Sequence, residues 1–365
     1  MVRLGIVGYG IMGRGHAKGI FDGKVPNCKL TAVCDVNPDA LTFAKGQDPE
    51  IATFATVEEL LDSGTVDAIL ISTPHYDHPI IAMQAMDKKI HVLVEKPAGV
   101  FTKNVREMNE KAATAGVVFA MMYNQRTNPM FRKMRDMVQN GELGELKRTS
   151  WLITDWYRPQ AYYNGDGWRA SWKGEGGGVL INQCPHNLDL WQWICGMPKR
   201  VTAFAHNGKW HDIEVEDDVT AYVEYENGAT GIFVTTTADC PGNNRFEVMG
   251  DLGKLVCENN ELTFYKLDVS EREFNKTNTE MFGAPKFEKI KIDCPGEFPE
   301  HPGVLRAFVD KINGKGELIA EGVEGIHGLT ISNAMHLSSW LGNKTIQLPL
   351  DADLFLTELK KRSTR

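Results

Sequence analysis

The sequence lacks the features that mark several large classes of protein. Its 7 cysteines include no Cys-x-x-Cys pair and are odd in number, which argues against a zinc site and against a disulfide framework. No apolar run of about 18 residues occurs, so we predict no membrane-spanning helix. The opening MVRLGIVGYG has no charged segment followed by a long apolar one, so no signal peptide is predicted. These absences favour a cytoplasmic protein with reduced thiols.

Positive charge is also in short supply. The chain has 40 Lys and Arg against 48 Asp and Glu, a net charge of −8, so we expect no nucleic-acid partner. The hydrophobic fraction of 42% is ordinary for a globular chain that buries a core. A length of 365 residues predicts two domains. Any phosphate-bearing ligand would have to be bound by local backbone geometry, because no basic surface is indicated.

Short apolar runs alternate with helical patterns through the first third of the chain. This alternation predicts βαβ units on a parallel sheet, and hence an α/β Rossmann domain over residues 1–123. The predicted strands are residues 2–7, 30–34, 66–72, 91–94 and 117–122. The predicted helices are residues 11–21, a segment from Pro38, 77–87 and 103–115.

The pattern changes after Tyr123, and residues 124–365 are predicted to form an α+β domain with one open, mostly antiparallel sheet. Such a domain would bind substrate and mediate oligomerisation, as a homodimer or homotetramer. The expected elements are a helix at residues 129–139, an irregular aromatic stretch at 151–172, a helix from Gly176 to about Ile194, strands between 218 and 292 with an Asn227-Gly228 hairpin turn, a loop at 270–283, and final helices at 302–312 and 323–340.

A dinucleotide-binding fingerprint follows the first strand directly and opens the first helix. Its first glycine permits a tight turn, its second lets a pyrophosphate approach the backbone, and its third lets helix and strand pack closely. The helix N-terminus would offer N–H groups to the phosphates. The residues concerned are Gly8, Tyr9, Gly10, Ile11, Met12 and Gly13.

Asp35 ends the second predicted strand, 22 residues after Gly13. A carboxylate at this distance is expected to bind the ribose hydroxyls, and it would repel a 2′-phosphate. The predicted cofactor is therefore NAD, with NADP disfavoured. The alternative is that Asp35 is a plain turn residue before Asn37-Pro38.

Two further motifs end strands at the same predicted edge of the sheet, where ligands bind in open parallel sheets. One is Ser72, Thr73, Pro74 and His75, and the other is Glu95, Lys96 and Pro97. Lys96 is a candidate reacting group, because partial desolvation beside a nicotinamide cation would lower its pKa. The alternative is an ordinary solvated lysine.

The segment after the three glycines 176–178 carries Asn182, His186 and Asp189. If one helix spans most of this segment, the three side chains share a face, and a polar stripe on an apolar helix is typical of a cleft. A buried core histidine explains the same pattern.

The aromatic stretch also has two interpretations. Aromatic faces beside charged hydrogen-bonding groups suit a pyranose or inositol ring, but a packed loop has the same composition. The residues are Trp151, Trp156, Tyr157, Tyr162, Tyr163, Trp168 and Trp172, with Asp155, Arg158, Asp166 and Arg169 among them. No histidine spacing indicates a metal site.

Taken together, the motifs resemble the Gfo/Idh/MocA family of sugar and inositol dehydrogenases. The resemblance rests on Gly8–Gly13, Asp35, Thr73-Pro74, Glu95-Lys96-Pro97, Asn124 to Arg126, and the segment from the triple glycine to His186. It implies that Lys96 bonds the substrate hydroxyl and that His186 is the acid/base residue. Asn182 stands where many members have Asp, which puts the usual carboxylate–histidine partnership in doubt.

The resemblance also implies ligand contacts elsewhere. Asn124, Trp168 and Arg169 would reach the cofactor, and Arg126, Tyr157 and Arg169 the substrate, together with Lys96, Asn182 and His186. The expected activity is NAD-dependent hydride transfer to or from a small-molecule sugar, polyol or inositol. Two alternatives use the same fold: an NAD-cycling glycosidase and a non-catalytic NAD-sensing regulator. The presence of both Lys96 and His186 argues against the sensor.

Overall fold

The computed structural model describes residues 1–165 and 167–364, so Asp166 of the aromatic stretch lies outside the described residues. The chain forms two compact units. The first unit comprises Met1–Thr127 and Phe298–Leu329, and the second comprises Asn128–Glu297 and Thr330–Arg365.

The elements of the chain run as follows. In the first part they are β1 (Val2–Val7), α1 (Ile11–Phe21), β2 (Cys28–Cys34), α2 (Pro38–Gln47), β3 (Ala52–Phe54), α3 (Val57–Asp62), β4 (Ala68–Ile71), α4 (Asp77–Asp87), β5 (His91–Val94), α5 (Thr102–Ala115), β6 (Phe119–Met121) and a 3₁₀ helix (Asn124–Thr127). There follow α6 (Pro129–Gln139), β7 (Leu146–Ile153), α7 (Gln160–Tyr163), α8 (Pro185–Cys195), β8 (Arg200–Asn207), β9 (Glu216–Glu224), β10 (Thr230–Thr236), β11 (Asn244–Gly250), β12 (Gly253–Glu258), β13 (Glu261–Leu267), α9 (Glu271–Thr277) and β14 (Phe287–Ile292). The last are α10 (Glu300–Ile312), a 3₁₀ helix (Gly322–Glu324), α11 (Gly325–Trp340), β15 (Ile346–Gln347) and α12 (Ala352–Ser363).

Within the described residues, the sheet of the first unit has six parallel strands in the order β3-β2-β1-β4-β5-β6. The order reverses between β1 and β4, and ligands bind outside the carboxyl ends of the strands at such a switch point. The strands are apolar on both faces because helices cover both sides, and every residue of β4 is buried. This arrangement confirms the predicted Rossmann domain.

The sheet of the second unit has nine strands over the described residues, in the order β14-β13-β12-β11-β7-β10-β9-β8-β15. All neighbours pair antiparallel except β7 and β10, which are parallel. Buried and exposed residues alternate along β9 and β10, so one face forms the core and the other is open. In that core Trp151 stacks on Phe246 with ring centroids 4.2 Å apart. The predicted open, mostly antiparallel sheet is confirmed.

Several predicted elements need correction. The aromatic stretch is not irregular throughout. Its first three residues belong to β7, which lies at the centre of the sheet and ends at Ile153, and Gln160–Tyr163 form α7. The polar segment 270–283 contains the short helix α9. Helix α10 belongs to the first unit, where it packs on α1 and shares its apolar core. Strands β3, β8 and β15 and helices α3 and α12 were not predicted.

The most consequential correction concerns the segment after the triple glycine. Helix α8 begins only at Pro185, so Asn182 precedes it and the face predicted for residues 182, 186 and 189 does not exist as one helical stripe. Gly176 and Gly177 have φ of 85° and 154°, which a right-handed helix cannot contain. The residue before a proline is also disfavoured in helical conformation, so the helix starts at the proline.

Candidate active site

The topology of the first unit gathers four strand ends at one edge of the sheet. Gly8, Asp35, Ser72 and Glu95 each directly follow a strand, namely β1, β2, β4 and β5. Backbone hydrogen bonds tie these ends together: the N–H of Ser72 donates to Val7 O at 2.8 Å, and that of Glu95 to Ile71 O at 2.9 Å. The predicted cofactor residues of these motifs therefore do share one edge.

The three fingerprint glycines have different surroundings. A Cβ on Gly8, whose φ is +87°, would lie 2.7 Å from Ser72 O, and a Cβ on Gly13 would lie 2.1 Å from Gly8 O. These two glycines are required by the packing of the chain itself. A Cβ on Gly10 would meet nothing within 4 Å. Packing does not explain Gly10, whereas a phosphate group approaching the N-terminus of α1 does, so the residues present fit a bound dinucleotide.

Asp35 is fixed against the fingerprint turn. Its Oδ2 accepts a hydrogen bond from the N–H of Tyr9 at 2.6 Å, and its Oδ1 accepts one from the N–H of Asn37 at 2.8 Å. The second bond is the turn role that the sequence left open, and the first holds the carboxylate at the carboxyl end of β2. Contact with the ribose stays a prediction.

A buried histidine links the loops that follow β4 and β5. The ring nitrogens of His78 lie 2.8 Å from Thr73 O and 2.7 Å from Pro97 O. Burial lowers the pKa of His78, although the two carbonyl groups oppose this. His75 is also buried, with its ring edge-on to His78 at 6.0 Å. His78 thus positions the segments that carry Thr73 and Lys96.

Glu95 is a buried carboxylate with partners inside the chain. Its Oε1 lies 2.6 Å from His16 Nε2, and its Oε2 accepts the backbone N–H of Lys96 at 3.1 Å. Burial on its own would raise the pKa of Glu95, but the hydrogen bond and charge of His16, with Lys96 and His301, outweigh it and lower the pKa to about 2. Glu95 therefore orients the backbone at the half-buried Lys96, and its predicted cofactor contact stays a prediction.

Two residues of this cluster were missed by sequence reasoning. His16 comes from α1 and His301 from α10, and their rings lie edge-on at 5.3 Å. Burial lowers the pKa of His301. Asn124 is buried beside it, with Nδ2 3.4 Å from His301 Nδ1. Nothing in the local sequence pairs these histidines with Glu95, because they lie far from it along the chain.

Arg126 has an internal partner as well. Its side chain is buried, and Nη1 lies 2.6 Å from Glu324 Oε2, with the guanidinium 5.3 Å from the ring of Tyr123. This ion pair gives Arg126 a structural role in the first unit. Its predicted contact with substrate stays a prediction.

In the second unit, a network of buried acids holds the loop of residues 174–184. Glu216 accepts the N–H groups of Gly178 at 2.9 Å and Leu180 at 3.0 Å, and its Oε2 lies 3.0 Å from His336 Nε2. Burial would raise the pKa of Glu216, but the charge of His336 and the N–H groups outweigh it and lower the pKa. The sequence did not single out Glu216 or His336.

The predicted acid/base residues lie at the end of this loop. His186 is the second residue of α8 and is half-buried. Asn182 donates through Nδ2 to Glu175, which sequence reasoning missed, and to Tyr162 Oη at 3.3 Å. Asp189 is buried and accepts a hydrogen bond from Gln192 at 3.2 Å.

The aromatic stretch divides between the two interpretations. Trp151 and Trp172 are core residues, with 1% and 3% of their surface exposed. Arg169 instead lies over the half-buried ring of Trp168 at 4.6 Å, and Tyr157 is 47% exposed. Aromatic surface next to a cation is thus present, while its predicted contact with ligand stays a prediction.

The described part of the chain contains neither a candidate membrane-spanning helix nor a candidate metal site. Across residues 1–165 and 167–364, no helix combines the length and apolarity that crossing a membrane requires. Over the same residues, no three His, Cys, Asp or Glu side chains are grouped to hold a metal ion.

Comparison with known proteins gives matches along most of the chain. The model of the oxidoreductase family with an NAD-binding Rossmann fold matches residues 2–123, and the GFO/IDH/MocA C-terminal domain matches residues 131–256. The chain is 26% identical to the myo-inositol 2-dehydrogenase of Thermotoga maritima over 71% of its length and 75% of that protein. It is 27% identical to the 1,5-anhydro-D-fructose reductase of Ensifer adhaerens over 77% and 79% of the two chains.

A solved structure with a similar fold contains the expected cofactor. The WlbA dehydrogenase from Bordetella pertussis, in complex with NADH and UDP-GlcNAcA, matches with a TM-score of 0.80 and 26% identity, over 96% of this chain and 99% of that one. The two family models match the chain in sequence order, and the model with the NAD-binding Rossmann fold covers the strand ends described above. The chain belongs to the Gfo/Idh/MocA family of NAD-binding oxidoreductases.

Proposed function

We propose that this protein is an NAD-dependent dehydrogenase that acts on a hydroxyl or keto carbon of a sugar, polyol or inositol. The observation that carries the proposal is the cradle at Gly10, where the packing leaves room beside a helix N-terminus and Asp35 stands at the adjacent strand end. A carboxylate there favours NAD over NADP. Relatives named for inositol and anhydrofructose support a polyhydroxylated substrate.

The residues of the chain would supply position and proton transfer. The chemistry that NAD supplies when bound is acceptance or donation of a hydride at its nicotinamide ring. We assign Lys96 to the reacting oxygen of the substrate, and His186 to the transfer of its proton. Glu95 and His78 hold the backbone on either side of Lys96, and this fixes the backbone position from which the lysine side chain extends. Trp168 and Arg169 offer an aromatic and a cationic surface for the sugar ring.

The test is a spectrophotometric screen for NADH formation from NAD with inositols, aldoses and glycosides. Net NADH formation from a free polyol is expected, whereas glycoside cleavage without net NADH would identify a redox-cycled elimination instead. Lys96→Met should nearly abolish turnover and leave NADH binding intact. If the variant keeps more than about a tenth of kcat/KM, the loss is below about 1.4 kcal/mol, which is too small for a primary catalytic group.

We also propose that the open face of the second-unit sheet is a subunit interface. Phe204, Tyr222, Ile232 and Met249 are between 36% and 49% exposed. They come from β8, β9, β10 and β11, which follow one another in the sheet except that β7 lies between β10 and β11. An apolar patch of this kind on a sheet is typical of an association surface. Light scattering of Tyr222→Glu should report a smaller particle than the parent protein, and an unchanged mass would contradict the proposal.

A further inference from the structure

Glu175 is a buried acid that is not among the residues assigned to the proposed reaction. It lies just before the triple glycine, and only 1% of its surface is exposed. Its Oε2 accepts the backbone N–H of Ala170 at 2.9 Å, and its Oε1 accepts a hydrogen bond from Asn182 Nδ2. Both carboxylate oxygens are therefore engaged by donors, as a buried carboxylate requires.

The contact with Glu175 fixes which way the amide of Asn182 faces. An amide carries a donor nitrogen and an acceptor oxygen on opposite sides, and only the nitrogen is compatible with a carboxylate oxygen. The same Nδ2 also donates to Tyr162 Oη at 3.3 Å. The Oδ1 of Asn182 must then point away from Glu175, so Asn182 acts toward its remaining surroundings as a hydrogen-bond acceptor.

The electrostatic surroundings of Glu175 are finely balanced. The net effect of these surroundings raises the pKa of Glu175 to about 7. Burial is the largest cause and the carboxylate of Glu216 adds to it, whereas the hydrogen bonds from Asn182 and Ala170 and the guanidinium of Arg169 act in the opposite direction. A second carboxylate placed at residue 182 would lie in direct contact with Glu175, and two carboxylates in contact do not both ionise.

We propose that Glu175 is a positioning residue of the active site, which acts through Asn182 by holding its amide as an acceptor for the substrate hydroxyl or the His186 imidazole. This inference rests on the proposed dehydrogenase function. In this pair Asn182 is the donor and Glu175 the acceptor, and exchanging the two side-chain types would reverse these roles. If Asn182 alone becomes Asp, the two carboxyl groups must hold a proton between them, whereas a neutral donor at residue 175 lets the new carboxylate stay ionised.

The test is a double-mutant cycle of Glu175→Gln, Asn182→Asp and the two combined. A glutamine at position 175 has one acceptor oxygen, which the N–H of Ala170 takes, so its amide nitrogen faces residue 182. In the Glu175→Gln variant two donors meet and the amide of Asn182 must turn, which presents the wrong polarity. In the Asn182→Asp variant two carboxyl groups meet and must hold a proton between them, which ties the polarity of the pair to pH. In the combined variant the new amide donates to the new carboxylate, and an acceptor oxygen again faces outward.

We expect each single variant to lose about 10- to 100-fold in kcat/KM, and the combined variant to return to within about tenfold of the parent protein. The loss in Glu175→Gln should be mainly in kcat if Asn182 serves His186, and mainly in KM if it binds substrate. NADH affinity should stay constant throughout, because no cradle residue is changed. Glu288→Gln, an exposed acid on β14, is the control for loss of a carboxylate.

The outcomes separate this inference from the proposed function. A combined variant no better than the worse single variant, or full activity in Glu175→Gln, overturns the positioning role. If the parent protein turns over no sugar or polyol, the proposed function fails, and the pair is judged by urea unfolding midpoints. A combined variant more stable than both single variants then supports the donor–acceptor pair, and additive losses overturn it.

Discussion

Replacing Glu175 with Gln should change how the stability of the second unit depends on pH. The pKa of the buried Glu175 carboxyl is raised from 4.5 to about 7, so between these values the folded chain binds more protons than the unfolded chain. Stability contributed by the neutral carboxyl is present at low pH, falls as the pH rises from about 4.5 to 7, and stays lower above that. Gln does not titrate, so the variant lacks this fall.

The size of the effect follows from the two pKa values. Each pH unit between them is worth about 1.4 kcal/mol, which gives about 3 kcal/mol in total and about 2–3 kcal/mol between pH 5 and pH 8. Gln also loses one hydrogen bond, because its side chain has a single acceptor oxygen and cannot accept from both Ala170 and Asn182. That loss is the same at both pH values. The difference in free energy of unfolding between the parent protein and Glu175→Gln therefore changes with pH only through the titration of Glu175.

The assay is urea unfolding near pH 5 and near pH 8, followed by tryptophan fluorescence. All 8 tryptophans of the chain lie in the second unit, so the signal reports on the unit that contains Glu175. The parent protein should lose about 2–3 kcal/mol relative to Glu175→Gln on going to the higher pH. Glu288→Gln should show no such change, because its side chain is exposed. A constant gap, or one that moves in favour of the parent protein, would refute the reasoning.

Three further predictions concern the first unit. Asp35→Ser should narrow the preference for NAD over NADP, and calorimetry showing equal affinities in the parent protein would contradict it. Gly10→Ala should weaken NADH binding without changing stability, because the new Cβ meets only open space within the chain. Gly13→Ala should destabilise the fold instead, because its Cβ would lie 2.1 Å from Gly8 O. NADH titration and urea unfolding distinguish the two effects. His16→Leu should lower the free energy of unfolding by about 3–5 kcal/mol, because it leaves the buried Glu95 without its partner. His16→Gln keeps a donor and should lower it less, and unfolding followed by far-UV circular dichroism measures both.

How far the sequence predicted the site depended on whether the signal was local. The helix at residues 11–21, the fingerprint turn and the four strand ends at one edge all follow from short segments, and the structure contains them. The partners of the buried acids do not follow in this way. Glu95 meets His16 and Glu216 meets His336 across 79 and 120 residues, and no short pattern encodes either contact.

Local patterns also misled where two signals competed. The segment after the triple glycine has helical periodicity, but positive φ at Gly176 and Gly177 and the proline at residue 185 delay the helix. Because of this delay Asn182 lies outside α8, where its side chain donates a hydrogen bond to Glu175. Strand β7 is hidden in the sequence because its tryptophan belongs to a run of aromatic residues typical of a binding surface, whereas Trp151 packs in the core.

The sequence by itself determined the alternation of strands and helices in the Rossmann domain, the glycine turn and the position of Asp35 at a strand end. It could do so because βαβ units and turns are built from neighbouring residues. Only the tertiary structure decided which buried charges pair, because burial and long-range packing set the partners of an ionisable group. The hydrogen bonds of Glu95 and Glu175, which come from this packing, hold the backbone of Lys96 and the amide of Asn182, two residues of the proposed active site.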